Sequence, residues 1–343
     1  MYDYIIVTHI PAFYKINLYN ELAKNLKILV IFISSNTNEK RADDFVTLEN
    51  ANFSYEVLSD GDFQTRDAKS NIKKLKTILK TNQYKRLLVS GWDLKEFWYL
   101  VIFYPKSKNF LALESTILES TPKGIKGWIK KLFLSRISTV FASGNLHIEL
   151  LKALNFKGNI KITKGVGIIN KPTFEKLKKE YQKRFLYVGR LSRVKNLEIL
   201  IKVFNDLPNY QLTLIGDGEE TKHLKSIANQ NISFNPPIEN IKLQNEFLNH
   251  DIFILPSISE PWGLVVEEAL YFGLPVMISK NCGSVELIKN GVNGYIFEPM
   301  NSEKIKSLIL NIDNILYQEL IEGVREFSVG EKDLKQLGVY FAN

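Results

Sequence analysis

Short apolar segments alternate with longer amphipathic ones along the whole chain. In the first half, Tyr4–Thr8, Ile28–Ser34, Arg86–Ser90, Asn109–Leu113, Thr139–Ser143 and Ile160–Thr163 are rich in Val, Ile, Leu and Phe, with little polar alternation. Strands buried on both faces of a sheet read this way. Between them, segments such as Tyr14–Asn25 and Lys69–Lys80 carry helical patterns. The second half repeats the theme, with strands expected at Arg184–Val188, Gln211–Ile215, Ile252–Leu255 and Pro275–Ser279. Helices are expected around Asn196–Asp206, Glu219–Asn229 and Gly263–Phe272. Strand-helix alternation predicts parallel sheets with right-handed crossovers. Two runs of about 170 residues predict two doubly wound α/β domains rather than one barrel. The expected division is 1–167, a linker over 168–182 and a second domain over 183–324, with a C-terminal helix in 325–343 packing back on the first domain. Ligands in such sheets bind at the carboxyl ends of the strands, so a cleft between two facing domains is the expected site.

Composition changes this picture little. Of 343 residues, 45% are hydrophobic and 24% charged, which excludes wholesale disorder, collagen and coiled coil. The lone Cys282 can form neither an internal disulfide nor a Cys-based zinc site, and it points to a cytosolic setting. The longest apolar run, Phe97 to Tyr104, is far short of the roughly 20 residues of a membrane-spanning helix. The start, Met1-Tyr2-Asp3-Tyr4, has no signal-peptide pattern.

Charge is uneven, and that matters more. Residues 1–172 carry 26 Lys+Arg against 15 Asp+Glu, a balance of +11, whereas the remainder is −3. A basic half suits an anionic partner: nucleic acid, a phospholipid surface, or a phosphorylated or carboxylated substrate. Lys-rich helices that merely solvate the surface would read the same.

Three stretches of the second half carry candidate chemistry. In Val188-Gly189-Arg190-Leu191-Ser192-Arg193-Val194-Lys195-Asn196 a buried strand ends in a glycine, followed by Arg190 and Lys195, with Asn196 the expected helix cap. Two cations at the carboxyl end of a strand match a diphosphate, gripped bidentately by Arg and met by the point charge of Lys. In Ile215-Gly216-Asp217-Gly218 the glycines permit positive φ and close approach of a ligand, although a plain strand-to-helix turn reads the same. In Ser257-Ile258-Ser259-Glu260-Pro261-Trp262-Gly263-Leu264-Val265-Val266-Glu267-Glu268-Ala269 a loop holding Glu260 leads into a helix expected to start near Gly263, with Glu268 on its second turn. The amides of Gly263 and Leu264 at the helix tip suit a phosphate. Glu260 and Glu268 suit hydroxyls on either side of it, and Glu267 reads as a solvent-facing acid favoured by the helix dipole. Phosphate flanked by two sets of hydroxyls describes a nucleotide sugar.

Glu260 and Glu268, with seven residues between them, Pro256-Ser257 before and Gly273-Leu274-Pro275-Val276 after, resemble the E-x7-E signature of retaining GT-B glycosyltransferases, especially glycosyltransferase family 4. Gly283-x-x-Glu286-Leu287-Ile288-x-x-Gly291-x-x-Gly294-Tyr295 fits the same pattern. The resemblance is specific over about residues 184–298. It implies two Rossmann-like domains facing a cleft and retention at the anomeric carbon, with a nucleotide-diphosphate sugar as donor, a uridine carrier being the commonest in the family. Arg190 and Lys195 would neutralise the leaving diphosphate, Glu260 would bind sugar hydroxyls, Glu268 the ribose, and Gly263 and Leu264 would offer amides. In the first half, Glu114 in Leu113-Glu114-Ser115-Thr116 occupies the place of a polar or acidic group that orients the acceptor. His9 lies in the loop after the first strand. The glycine-rich first loop of many relatives has no close match, and Asn235-Pro236-Pro237 replaces a usual glycine.

The resemblance implies neither a cofactor nor a metal. Asp60-Gly61-Asp62 is a literal D-x-D but reads as a surface turn. Residues 123–136 interleave lysines with Ile125, Trp128, Ile129, Leu132 and Phe133. Such a helix either lies on an anionic membrane or buries its apolar positions in the core. A glycan or lipid-linked acceptor in bacterial lipooligosaccharide, capsule or other surface-glycan synthesis is the implied substrate, at the inner face of the cytoplasmic membrane. The rivals are a GT-B hydrolase or epimerase of nucleotide sugars and an inactive nucleotide-sugar binder. A nucleic-acid partner would leave the acidic second half unexplained.

Overall fold

The computed structural model describes residues 1–39, 42–174 and 180–341. The chain forms two units. The first comprises residues 1–39, 45–168 and 333–343, and the second 40–44 and 169–332. Residues 175–179 of the expected linker lie outside the described residues.

The first unit is built on seven strands: β1 (Tyr2–Thr8), β2 (Ile28–Phe32), β3 (Ser54–Val57), β4 (Tyr84–Val89), β5 (Asn109–Leu113), β6 (Thr139–Ala142) and β7 (Asn159–Ile162). All pairings are parallel, in the order β3-β2-β1-β4-β5-β6-β7, with Tyr4 beside Ile28 and Arg86. Alternate side chains leave the sheet on opposite faces. Ile5, Val7, Leu29 and Ile31 enter one core with α2 (Ala68–Thr81), α3 (Lys95–Phe103), α4 (Gly124–Ser135) and α5 (Asn145–Ala153). Tyr4, Ile6, Val30 and Phe32 enter the other with α1 (Phe13–Ala23) and the end of the last helix, whose Leu337 and Tyr340 pack there. The Tyr4 hydroxyl donates to the Tyr340 carbonyl at 3.0 Å.

The second unit has six parallel strands in the order β10-β9-β8-β11-β12-β13: β8 (Arg184–Val188), β9 (Gln211–Ile215), β10 (Ile232–Asn235), β11 (Ile252–Leu255), β12 (Val276–Ser279) and β13 (Gly294–Phe297). Its helices are α6 (Leu197–Asn205), α7 (Thr221–Ile227), α8 (Leu243–Asn249), α9 (Val265–Tyr271), α10 (Ser302–Leu310), α11 (Asn314–Arg325) and the start of α12 (Val329–Phe341).

Three strands, β3, β10 and β13, have no counterpart in the sequence reading. Each is four residues long and lies at a sheet edge, with only partial burial. An edge strand covered on fewer sides does not need a continuous apolar run. Strand order reverses between β1 and β4 in the first sheet and between β8 and β11 in the second. Crevices for ligands form at the carboxyl ends of strands at such reversals. No helix of the described residues is long and apolar enough to cross a membrane.

Candidate functional site

In the second unit the reversal point is built from the loops after β8 and β11. Strand β8 ends at Val188, and Gly189 bonds through its amide to the Ile215 carbonyl. Opposite it, Gly216 has φ +144°, and a Cβ there would lie 1.9 Å from the Gly189 carbonyl oxygen. Only glycine allows the β8 and β9 ends to approach this closely. Arg190 is exposed, with its carbonyl accepting from the Tyr187 hydroxyl at 2.8 Å. A 3₁₀ turn over Arg193–Lys195 follows.

Asn196 stands at the N-cap position of α6 but does not cap it. Its backbone is left-handed, and its amide group donates to the carbonyls of Pro256 and Pro299 at 3.2 and 2.6 Å. The side chain thus ties the β8 loop to the β11 loop, as does the bond from the Ile258 amide to the Val194 carbonyl. The result is that Lys195 and Glu260, both largely buried, form an ion pair. Glu260 is fixed through its backbone, its amide donating to Asn281 and its carbonyl accepting from Gly283.

Helix α9 starts at Val265, later than the sequence suggested, because Gly263 adopts φ +88° and turns the chain first. A Cβ at Gly263 would come within 3.2 Å of the Glu260 side chain. Gly263 and Leu264 therefore border Glu260 and precede the first turn, and Glu268 falls in that first turn rather than the second. Glu268 is buried and accepts from the Asn240 amide at 2.5 Å, while Asn240 in turn accepts from Asn170. Burial pushes its carboxyl up to about 7, against the lowering effect of the Asn240 bond; the negative charges of Glu267 and Asp44 add to the rise.

Glu267 is not the solvent-facing acid its position suggested. It is fully buried, accepting from the Trp262 indole at 2.6 Å and the Lys332 ammonium at 2.5 Å. An acidic residue beside a helix start is ordinarily exposed. Here Lys332, 65 residues on, brings the counter-charge, and no local pattern announces it.

The first unit has its own cluster at the equivalent reversal. His9 follows β1 and Asp93 follows β4, and they meet at 2.9 Å. Lys15, buried on α1, reaches Glu114 after β5 at 2.7 Å and the Thr8 hydroxyl at 3.2 Å. Burial works against both charges. The Lys15 ammonium, with His9, nevertheless holds the Glu114 carboxyl below its usual range, and Glu114 raises Lys15 in return. His9 and Glu114 are candidates from the sequence, whereas Lys15 and Asp93 are not; topology is the missing signal, since Asp93 sits just beyond β4 at the reversal and Lys15 reaches Glu114 from α1. Glu114 and His9 belong to this unit and the other candidates to the second. Asp60-Gly61-Asp62 forms a turn in which the Gly61 carbonyl accepts from Ser34 and its amide donates to Ser35. Among the described residues, no three His, Cys, Asp or Glu side chains gather as metal ligands.

Lys195 and Glu260 are thus brought together at the strand reversal of the second unit, with Arg190 just after β8 and Glu268 in the first turn of α9, bonded to Asn240. Residues 169–326 match the family described as glycosyl transferases group 1. Over that stretch the second unit is similar to glycosyl transferases of group 1. An uncharacterized glycosyltransferase of Haemophilus influenzae is 35% identical over 151 residues, 40% of this chain and 42% of that protein. The O-antigen biosynthesis glycosyltransferase WbnH of Escherichia coli is 34% identical over 122 residues, 35% of each. The match thus spans less than half the length of either relative. Over the whole chain, HepE from Anabaena, solved with UDP and glucose, superposes with a TM-score of 0.73 at 16% identity, covering 97% of this chain and 98% of that one. At that identity the likeness concerns the fold, two parallel-sheet α/β domains as in GT-B glycosyltransferases. The matched stretch holds all of Arg190, Lys195, Gly216, Glu260, Gly263, Leu264 and Glu268.

Proposed function

We propose that the protein is a retaining family 4 glycosyltransferase that moves a sugar from a nucleotide-diphosphate sugar, a uridine carrier favoured, to a glycan or lipid-linked acceptor in surface-glycan synthesis at the cytoplasmic face. The observation that carries this reading is the Lys195–Glu260 pair, held at the strand reversal of a unit that matches the group 1 glycosyl transferases. An ammonium and a carboxylate in contact offer adjacent partners to the two halves of a sugar phosphate. Donor binding would part them, Lys195 turning to the diphosphate and Glu260 to the sugar hydroxyls.

In the proposed reaction the bond between the anomeric carbon and the β-phosphate oxygen breaks, and the oxygen keeps the electron pair. Arg190 and Lys195 meet the charge that develops there, the term that usually dominates catalysis. The acceptor hydroxyl bonds to the anomeric carbon on the face the diphosphate leaves, and its proton passes to the departing phosphate. Glu268 holds the ribose hydroxyls, Gly263 and Leu264 offer amides to the donor, and Glu114 orients the acceptor. With cations from the chain on the diphosphate, the reaction is proposed to need no metal.

Support comes from the O-antigen biosynthesis glycosyltransferase WbnH and from HepE, solved with UDP. The test is a thermal-shift screen against nucleotide sugars, since a bound ligand stabilises the fold by mass action. It is followed by turnover of the best hit with EDTA present. One nucleotide sugar should raise Tm by several degrees and be consumed in EDTA. Stabilisation by none of the panel would overturn the reading.

A further inference from the structure

Helix α4 turns its apolar face to water. Ile125 (79% exposed), Trp128 (64%), Ile129 and Leu132 are all exposed. Spaced i, i+3, i+4 and i+7, they gather within about 100° of arc on one side of the helix. The opposite side is seated on the unit, where Gly127, Phe133 and Leu134 are buried. That seating fixes the roll of the helix. A Cβ on Gly127 would lie 2.0 Å from the Pro122 carbonyl oxygen, and Phe133 packs edge-on against Trp98. Lys130 donates to the Ser120 hydroxyl and the Thr121 carbonyl. Of the two readings open from the sequence, the core claims only Phe133 and Leu134 of the apolar side chains, and the stripe is left outside.

Its borders are basic. At 100° per residue, Lys126 and Lys131 stand about 110° to either side of the stripe's centre. Lys123 occupies the N-cap position, and the helix contains no acidic residue. At the far end Arg136 donates to the carbonyls of Val101 and Ile102, so that exposed Ile102 and Phe103 (70%) adjoin the helix.

A stripe of large apolar side chains in water marks an interaction surface rather than ordinary solvation. Lysines on its flanks choose among partners. A second copy of this chain would bring the same lysines together, whereas an anionic lipid surface would meet them with opposite charge. Their long stems let the ammonium reach headgroup level while the stripe sinks below it. We propose that α4, with the end of α3, docks on an anionic bilayer, lying in the interface with Ile125, Trp128, Ile129 and Leu132 inserted and Lys123, Lys126 and Lys131 on the headgroups. This rests on the surface itself and not on sugar transfer.

The experiment is vesicle flotation of the full chain at low salt, with phosphatidylcholine alone or with 30% phosphatidylglycerol. The wild type should float with the anionic vesicles at least tenfold better than with the neutral ones, with a blue shift in tryptophan emission. Lys126→Gln/Lys131→Gln should weaken binding roughly 25-fold, from about 1 kcal/mol per charge. Ile125→Ser/Trp128→Ser should abolish flotation with Tm unchanged. Trp128→Phe should keep binding and lose the blue shift. Equal flotation with both vesicles, no flotation of the wild type, or full flotation of Ile125→Ser/Trp128→Ser would overturn the proposal. So would a dimer that this last variant dissolves without change in lipid binding. No nucleotide sugar enters the assay, so its failure and that of the sugar-transfer reading are separate results.

Discussion

Replacing Lys332 by Met tests whether the E-x7-E helix is held by a buried charge from the far end of the unit. Glu267 is 0% and Lys332 5% exposed, and their contact is 2.5 Å. Met fills much of the lysine's volume, so the main loss is the counter-charge. Glu267 then keeps the Trp262 indole bond but is a buried anion without its lysine counter-charge, a defect that typically costs about 3–5 kcal/mol. It can escape by taking a proton. At pH 7 that costs about 1.4 kcal/mol for each unit between pH 7 and an ordinary carboxyl pKa near 4.3, roughly 3.7 kcal/mol. The smaller route sets the size, so Lys332→Met should destabilise the second unit by about 3–4 kcal/mol at pH 7. Because the folded variant then binds a proton that the unfolded chain has released, the deficit should shrink as pH falls toward 4.5. Adding Glu267→Leu should recover most of the loss, since neither charge remains. Urea unfolding followed by tryptophan fluorescence, with the transition of the second unit fitted by itself, gives the values. A loss under 1 kcal/mol, or a double variant no better than the single one, would refute the reasoning.

Other outcomes follow from the same structure. Gly216→Ala places a Cβ 1.9 Å from the Gly189 carbonyl oxygen at φ +144°; it should cost at least 1–3 kcal/mol from backbone strain alone, read as a drop of several degrees in Tm. Glu268, raised to about 7 by burial, holds its proton when folded and loses it when unfolded between about pH 4.5 and 7. Its contribution to stability should therefore fall by about 3 kcal/mol as pH rises through that window, and Glu268→Gln should flatten this part of a stability-against-pH curve. Lys15→Met should cost about 1–2 kcal/mol at neutral pH, less than at Lys332 because 41% of the Glu114 side chain is open to water. The lowered Glu114 stabilises above its unfolded pKa and the raised Lys15 below its own. The wild-type advantage should thus fade on acidification below about pH 4 and above about pH 10.5, as chemical denaturation at a series of pH values will show.

Much of this was legible in the sequence where burial was complete. β1, β8 and β11 hold fully buried apolar runs, Tyr4–Val7, Phe185–Tyr187 and Ile252–Leu255, and their loops carry the motif residues. β3, β10 and β13 escaped because an edge strand tolerates polar residues such as Ser54, Glu56 and Asn235. Lys195 and Glu260 were each nominated from local chemistry, but their contact depends on Asn196 bridging two loops, which spacing does not reveal. Glu267 was misread for a related reason: its partner Lys332 lies 65 positions away. Asp93 was invisible until strand order placed it at the reversal beside His9. The helix over 124–135 showed its mixed pattern plainly, yet only packing settles which side faces water.

Titration calorimetry with UDP and UMP on the wild type and Lys195→Ala measures directly whether Lys195 meets a diphosphate. Lys195→Ala should weaken UDP binding at least tenfold while UMP binding hardly changes, because the lost charge serves the second phosphate. Equal affinities of wild type and variant for UDP, or equal losses for both nucleotides, would contradict it.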